Sequence, residues 1–453
     1  MLKKKNLYVA IAVMTIAAVL GIAIKAKVEE RRDEIYEKLS VFTQAFTLVK
    51  GQYIDAEKTK DKDLIYGAIN GMLNTLDPHS SFLPPDMYKE MQIETQGKFG
   101  GVGIQISMVK DQLTVITPID DTPAFKAGIK PLDRIVKING ESTRDMSLSD
   151  AVKKMRGPKG TNVTITIMRD SFKEPKDFVL ERDIIKIKSI KSKILDDIGY
   201  LRITQFQEDT SRELDNTLND ILKSNIKGLV LDLRNNPGGL LNMASDVCDR
   251  FLKEGKLLVY TVDQSGKRDL EFISKKKPLC PNIPMAVLVN SGSASASEIV
   301  AGALQDWERA VVIGVKTFGK GSVQTVIPLS DGSALRLTTS RYYTPKGRSI
   351  QEKGIMPDIE VEEAEPSPDK KEQRFFLREK DLENHLKNEA ATEKSETKDS
   401  KEKKEIEKEP QPEEILQSIT SQEIDPSKDY QLKRAIEILK GHTILQKLSE
   451  QAS

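Results

Sequence analysis

The chain has 453 residues, room for two or three domains, because a single core seldom grows past about 250 residues. Its 70 Lys and Arg balance 69 Asp and Glu, which excludes a general electrostatic pull toward nucleic acid. Its only histidines, His79, His385 and His442, make a His-rich metal site untenable, and a Ser-His-Asp triad would rest on His79 alone.

Lys3, Lys4 and Lys5 precede an apolar run from Leu7 to Ile24, and Lys25 and Lys27 follow it. That run spans about 27 Å as a helix, barely a bilayer. The basic start holds the N-terminus in the cytoplasm and sends the rest across. No clean small-x-small cleavage site follows the run, so residues 1–27 read as an uncleaved anchor, with a cleaved signal peptide the alternative. Residues 28–96 carry helical periodicity, with Ile35, Leu39, Phe42, Phe46 and Val49 three or four apart. A second amphipathic stretch, Leu64 to Leu76, ends at Asp77-Pro78.

From residue 97 to 183 the pattern becomes β-rich with two short helices. Phe99 to Ile106, Leu113 to Thr117, Arg134 to Ile138 and Val163 to Met168 read as strands, and Ser149 to Met155 as a helix. Residues 184–365 alternate continuous apolar strands with amphipathic helices, predicting an α/β core whose mixed sheet is covered on both faces. The strands include Gly228 to Leu233, Met285 to Val289 and Ser322 to Leu329. Residues 366–427 are rich in Glu, Lys, Pro and Ser and read as a disordered linker, being short of apolar surface to offset ordering entropy. A last amphipathic helix within residues 428–453 is open to self-association, partner binding or capping the core. Cys248 and Cys280 form no CxxC pair and read as free core thiols, although one disulfide remains open.

The sharpest chemistry lies in Asn290-Ser291-Gly292-Ser293-Ala294-Ser295-Ala296-Ser297-Glu298, which follows a buried strand and opens a helix. A helix N-terminus offers unpaired N–H groups to a developing oxyanion. Ser295 and Glu298 also match the capping box S-x-x-E, so Ser295 alone could be a cap. Lys320 stands between glycines in Thr317-Phe318-Gly319-Lys320-Gly321, flanked by strands whose burial would depress its pKa toward that of a working base. Gly314 to Lys320 also spells the opening of a phosphate loop, but Gly321 stands where that motif needs Ser or Thr, and a strand follows instead of a helix.

With SGSASASEIVAGALQD, TFGKGSVQ, LDLRNNPGG, LDPHSSF and YYTPKGRSIQEKGIMPDIEV in this order, the chain resembles the carboxyl-terminal processing, or tail-specific, proteases from about Val28 to Val361. The resemblance implies a serine endopeptidase with nucleophile Ser295, base Lys320 and Gln324 orienting the lysine. It places oxyanion donors at the N–H groups of Gly239 and Ala296, with Asp232, Arg234 and Glu298 in support. Residues 97–183 resemble a PDZ domain, with Gly101, Val102, Gly103 and Ile104 as carboxylate loop and Arg156 at the position through which relatives gate the core. It implies substrates held by their C-terminal tails, no cofactor, no metal, and a bacterial periplasmic or other extracytoplasmic location. An activator or self-association remains open. The alternative is a non-catalytic PDZ adaptor.

Overall fold

The computed structural model describes residues 35–363, 377–382, 384–388 and 424–452. The chain divides into two compact units, residues 1–76 and 77–453. In the first, residues 35–52 are helical and a second helix spans Asp61–Asn74. The Leu7–Ile24 run lies outside the described residues. Among the described residues no helix is long and apolar enough to cross a membrane.

The second unit is built on a six-stranded sheet. Its strands run in the order Ile190–Leu195, Ile198–Ile203, Gly228–Asp232, Met285–Val289, Val311–Gly314 and Ile359–Glu360. The first pair is antiparallel and the remaining neighbours are parallel, which makes the sheet mixed. Alternation along each strand sorts side chains to two faces. Leu229, Leu231 and Val287 enter one core, shared with the helices Thr210–Leu222, Leu241–Asp249 and Ala296–Asp306. Val230, Ala286 and Leu288 enter the other, against Leu432, Ala435 and Leu439 of the C-terminal helix Tyr430–Ala452. That helix therefore covers the second sheet face. Cys248 and Cys280 are both buried and free.

A second, five-stranded sheet joins Ser81–Leu83, Ser322–Pro328, Ala334–Tyr343, Leu257–Asp263 and Arg268–Ile273. Of these, Ser81–Leu83, Leu257–Asp263, Arg268–Ile273 and Ala334–Tyr343 have no counterpart in the periodicity reading. The third sheet forms the β-rich module, ordered Ile104–Val109, Gln112–Pro118, Arg134–Ile138, Asn162–Met168 and Lys176–Glu181, with Glu141–Ser142 beside the third strand. Helix Leu148–Met155 packs on its core through Ala151 and Met155.

One expectation needs correction. Residues 377–382 and 384–388, assigned above to a disordered linker, pack on the core, and Glu379 is fully buried. They are held by polar side chains that pair with core groups, which an apolar-surface argument does not register. The rest of that linker lies outside the described residues.

Candidate active site

Three parallel strands end beside one another, and the segments leaving all three face a cleft of about 260 Å³. Gly239, Ser295, Ala296, Lys320, Gln324, Arg336 and Tyr342 line it, with an apolar wall that includes Met91, Leu241, Ile299 and Val323.

The hydroxyls of the serine-rich turn have different fates. Ser293 Oγ donates to the Leu233 carbonyl at 2.8 Å and Ser297 Oγ to that of Asn236 at 2.9 Å. Both are fully buried and tie the turn to its neighbour. Ser295 is the N-cap residue of helix Ala296–Asp306 in a capping-box arrangement with Glu298, but the Glu298 N–H donates to the Ser295 carbonyl at 2.9 Å and no cap hydrogen bond to its Oγ is made. Glu298 supplies the reverse half of a box, accepting the Ser295 N–H at 2.8 Å. With φ 55° and ψ −113°, Ser295 occupies backbone space that a residue with a Cβ seldom adopts. Ser295 lines the cleft, and the buried Tyr342 lines it too. Tyr342 also donates to the Lys320 carbonyl.

Beneath the serine sits Glu298, fully buried. Its carboxylate accepts from Thr317 Oγ1 (2.6 Å), Gly319 N (2.8 Å), Lys320 N (2.9 Å) and Ser295 N. One side chain therefore sets both the serine turn and the lysine loop. Burial pushes its carboxyl up to about 7, while these four donors pull the other way.

Burial also holds the Lys320 ammonium below the ordinary lysine range, with the Arg336 charge adding to it. Glu379, Asp77 and Glu298 oppose the shift without cancelling it. A lysine so placed can surrender its proton more readily than one in water. Its Nζ donates to Gln324 Oε1 at 3.5 Å. The direct Ser295 Oγ to Lys320 Nζ hydrogen bond expected of a dyad is not formed: Nζ reaches Gln324 Oε1 instead.

Two backbone N–H groups complete the cleft. Neither Gly239 N nor Ala296 N has a hydrogen-bond partner among the described residues. Gly239 has φ 138° and abuts the Phe206 carbonyl; Gly238 has φ 105°, and a Cβ there would lie 2.8 Å from Ser295 Cβ and 3.0 Å from Ala296 N. Only glycine lets this turn approach the serine so closely. Asn236, which the sequence reading did not single out, fastens the turn by accepting the Gly238 N–H and donating to the Ile203 carbonyl.

The structure does not bring Asp232 and Arg234 to the cleft. Asp232 accepts from Tyr200 and Arg234, and Arg234 forks onto Asp429 and Gln431 at the start of the C-terminal helix. Arg156 stacks on Phe99 and lies 3.6 Å from Glu90, on the helix Pro85–Gln96 that supplies Met91 and Thr95 to the cleft. The loop Gly101–Ile104 leads into Ile104–Val109, an edge strand facing helix Leu148–Met155. The phosphate-loop spelling is void, because Ser322–Pro328 is a strand. His79 does not line the cleft: its Nε2 contacts Glu379 at 2.7 Å. Tyr342 and His79 both lie inside motif strings quoted above, which carried no role for either.

The model of peptidase family S41 matches residues 197–361, that of the PDZ domain residues 90–168, and that of the activating protease CtpB N-terminal domain residues 4–86. The chain is 47% identical over 364 residues to a carboxy-terminal-processing protease of Bartonella bacilliformis, covering 79% of this chain and 83% of that one. It is 36% identical over 332 residues to the carboxy-terminal processing protease CtpA of Bacillus subtilis, covering 73% and 70%. A solved photosystem II D1 C-terminal processing protease shares 30% identity, covers 71% of this chain and 92% of its own, and superposes with a TM-score of 0.43. The chain belongs to the carboxy-terminal processing proteases, serine-type peptidases of family S41 that carry a PDZ domain.

Proposed function

We propose that this peptidase cleaves extracytoplasmic proteins gripped by their C-terminal tails, using Ser295 as nucleophile and Lys320 as base. The observation that carries the reading is a serine held at φ 55° on a helix N-terminus and lining the same cleft as a half-buried lysine. Neutral Lys320, still donating an N–H to Gln324, accepts the Ser295 Oγ proton on its lone pair, and Oγ bonds to the scissile carbonyl carbon. The N–H groups of Gly239 and Ala296 receive the oxyanion, helped by the N-terminus of the following helix. Lys320 then gives its proton to the leaving amine as the C–N bond breaks. Water, deprotonated by Lys320, hydrolyses the acyl-Ser295 ester and restores both groups. No cofactor enters these steps. The apolar wall beside Ser295 suits an apolar side chain next to the scissile bond.

The substrate tail would add as a strand to the free edge of Ile104–Val109, with its carboxylate on the N–H groups of Gly101, Val102, Gly103 and Ile104. Arg156 would report that binding through Glu90 and the helix that carries Met91 and Thr95. Residues 7–24 would anchor the enzyme in the membrane of a bacterial cell envelope, with the catalytic unit on the periplasmic or other outer side.

The test is full-length protein, detergent-solubilised, against a protein with an apolar C-terminal tail. Ser295→Ala and Lys320→Ala each lose about 10³-fold or more in kcat; either one cleaving like the parent contradicts the dyad. Arg156→Ala lowers kcat/KM for the tailed protein and leaves hydrolysis of a short, tailless ester unchanged. Equal losses on both substrates contradict the gating role.

A further inference from the structure

A fully buried carboxylate close to the lysine has no place in the steps above. Glu379 comes from residues 377–382, beyond the segment matched by the peptidase family. It accepts from Gln351 Nε2 at 2.9 Å, and His79 Nε2 lies 2.9 Å from Oε1 and 2.7 Å from Oε2.

Two chains of hydrogen bonds leave Glu379, one ending on Lys320 Nζ and the other on the N–H of the next residue, Gly321. The first runs through His79, whose carbonyl accepts Gln324 Nε2 at 2.9 Å and Arg336 Nε at 3.2 Å. A carbonyl can only accept, so Gln324 must present its amide nitrogen there and its Oε1 to Lys320 Nζ. The His79 peptide is itself held at both ends: Asp77 accepts its N–H at 2.8 Å, and Glu379 holds its ring. The second chain runs through Gln351, whose Oε1 accepts the Gly321 N–H at 2.9 Å, next to Lys320 in sequence. Together they close a ring: Lys320 Nζ, Gln324, His79, Glu379, Gln351, Gly321 and back to Lys320.

Residues 384–388 hold the far side of this ring. His385 Nε2 meets Glu352 Oε1 at 2.7 Å, and the Leu386 carbonyl accepts Gln351 Nε2 at 2.9 Å. These contacts join polar groups 33 and 35 positions apart.

We propose that Glu379 is a positioning residue that closes a hydrogen-bonded ring around Lys320 and sets the orientation of Gln324 toward its amine. The proposal rests on Lys320 being the base. It acts through the lysine and touches no substrate.

Full-length Glu379→Ala, His79→Ala, the double variant, Glu379→Gln and Lys320→Ala are compared on the tailed protein substrate. Opening the ring in Glu379→Ala lowers kcat by about 10- to 100-fold with KM within about twofold, the scale on which misplacing a catalytic group acts. His79→Ala does the same, and the double variant is no worse than the poorer single one, because either change opens the same ring. Glu379→Gln can still accept from Gln351 and donate to a neutral His79, so it restores kcat to within about threefold. Its acid limb moves to lower pH, because Lys320 loses one of three facing carboxylates, keeping Asp77, Glu298 and the opposing Arg336. If Glu379→Ala fails to fold, the His79→Ala and Glu379→Gln results decide. A folded Glu379→Ala or His79→Ala with parental kcat overturns the ring, as does additive loss in the double variant. An active Lys320→Ala would instead overturn the reading of Lys320 as base.

Discussion

Asp232 and Glu298 are both fully buried carboxylates, one ending a strand and the other in the first turn after its parallel neighbour. Their partners differ. Asp232 meets the guanidinium of Arg234, with Arg202 nearby, and despite burial its carboxyl lies below the usual range. Glu298 meets four neutral donors, and burial pushes it up to about 7. Compensated charge at Asp232 clamps the C-terminal helix through Asp429. At Glu298 neutral donors hold two loops in register while leaving the adjacent amine without a tight counter-ion. Buried carboxylates thus build structure in one place and a reactive cleft in the other, and the partner decides which.

The largest effect that breaks this contrast is Glu298→Gln. An amide has one accepting end, so its NH2 must face at least one N–H among Ser295, Gly319 and Lys320. We expect kcat to fall by about 10²-fold, with about 1–3 kcal/mol lost in stability. A variant with parental kcat would show that the two loops hold themselves. Asp232→Asn sharpens the other half. Breaking the buried pair costs about 3–5 kcal/mol at neutral pH, read in a denaturation midpoint, while kcat per folded molecule stays within about threefold. The sign of its pH dependence follows from a depressed native pKa. The Asp232 contribution is present above the unfolded carboxylate value and lost as pH falls through the native one, so variant and parent converge in acid.

Much of the chemistry was legible in the chain because it sits in short strings. Ser295, Lys320 and Gln324 lie within thirty residues or so of one another, and strand-turn-helix patterning placed the turn. What stayed hidden joins distant polar groups. His79 and Glu379 are 300 positions apart, and nothing periodic marks either. The linker composition argued for disorder, and it gave no sign of the hydrogen bonds that Glu379, His385, Leu386 and Asn388 make to the core. Asp232 and Arg234 were read as neighbours of the site from their string alone; their side chains instead reach the C-terminal helix. The Leu257–Asp263 and Arg268–Ile273 hairpin escaped because Arg268–Ile273 is largely exposed and lacks alternation.

The smallest effect concerns the charges around the amine. Arg336→Gln removes the positive neighbour that lowers the Lys320 pKa, so the acid limb of kcat moves to higher pH while the high-pH plateau is nearly kept. An unmoved limb would mean that burial alone tunes the lysine.

The most direct measurement is covalent: mix the full-length protein with the tailed substrate, quench in acid within one turnover, and map the acyl adduct by mass. The dyad predicts an adduct on Ser295 in the parent, and none in Ser295→Ala or Lys320→Ala. An adduct on another residue, or undiminished Ser295 acylation in Lys320→Ala, would contradict it.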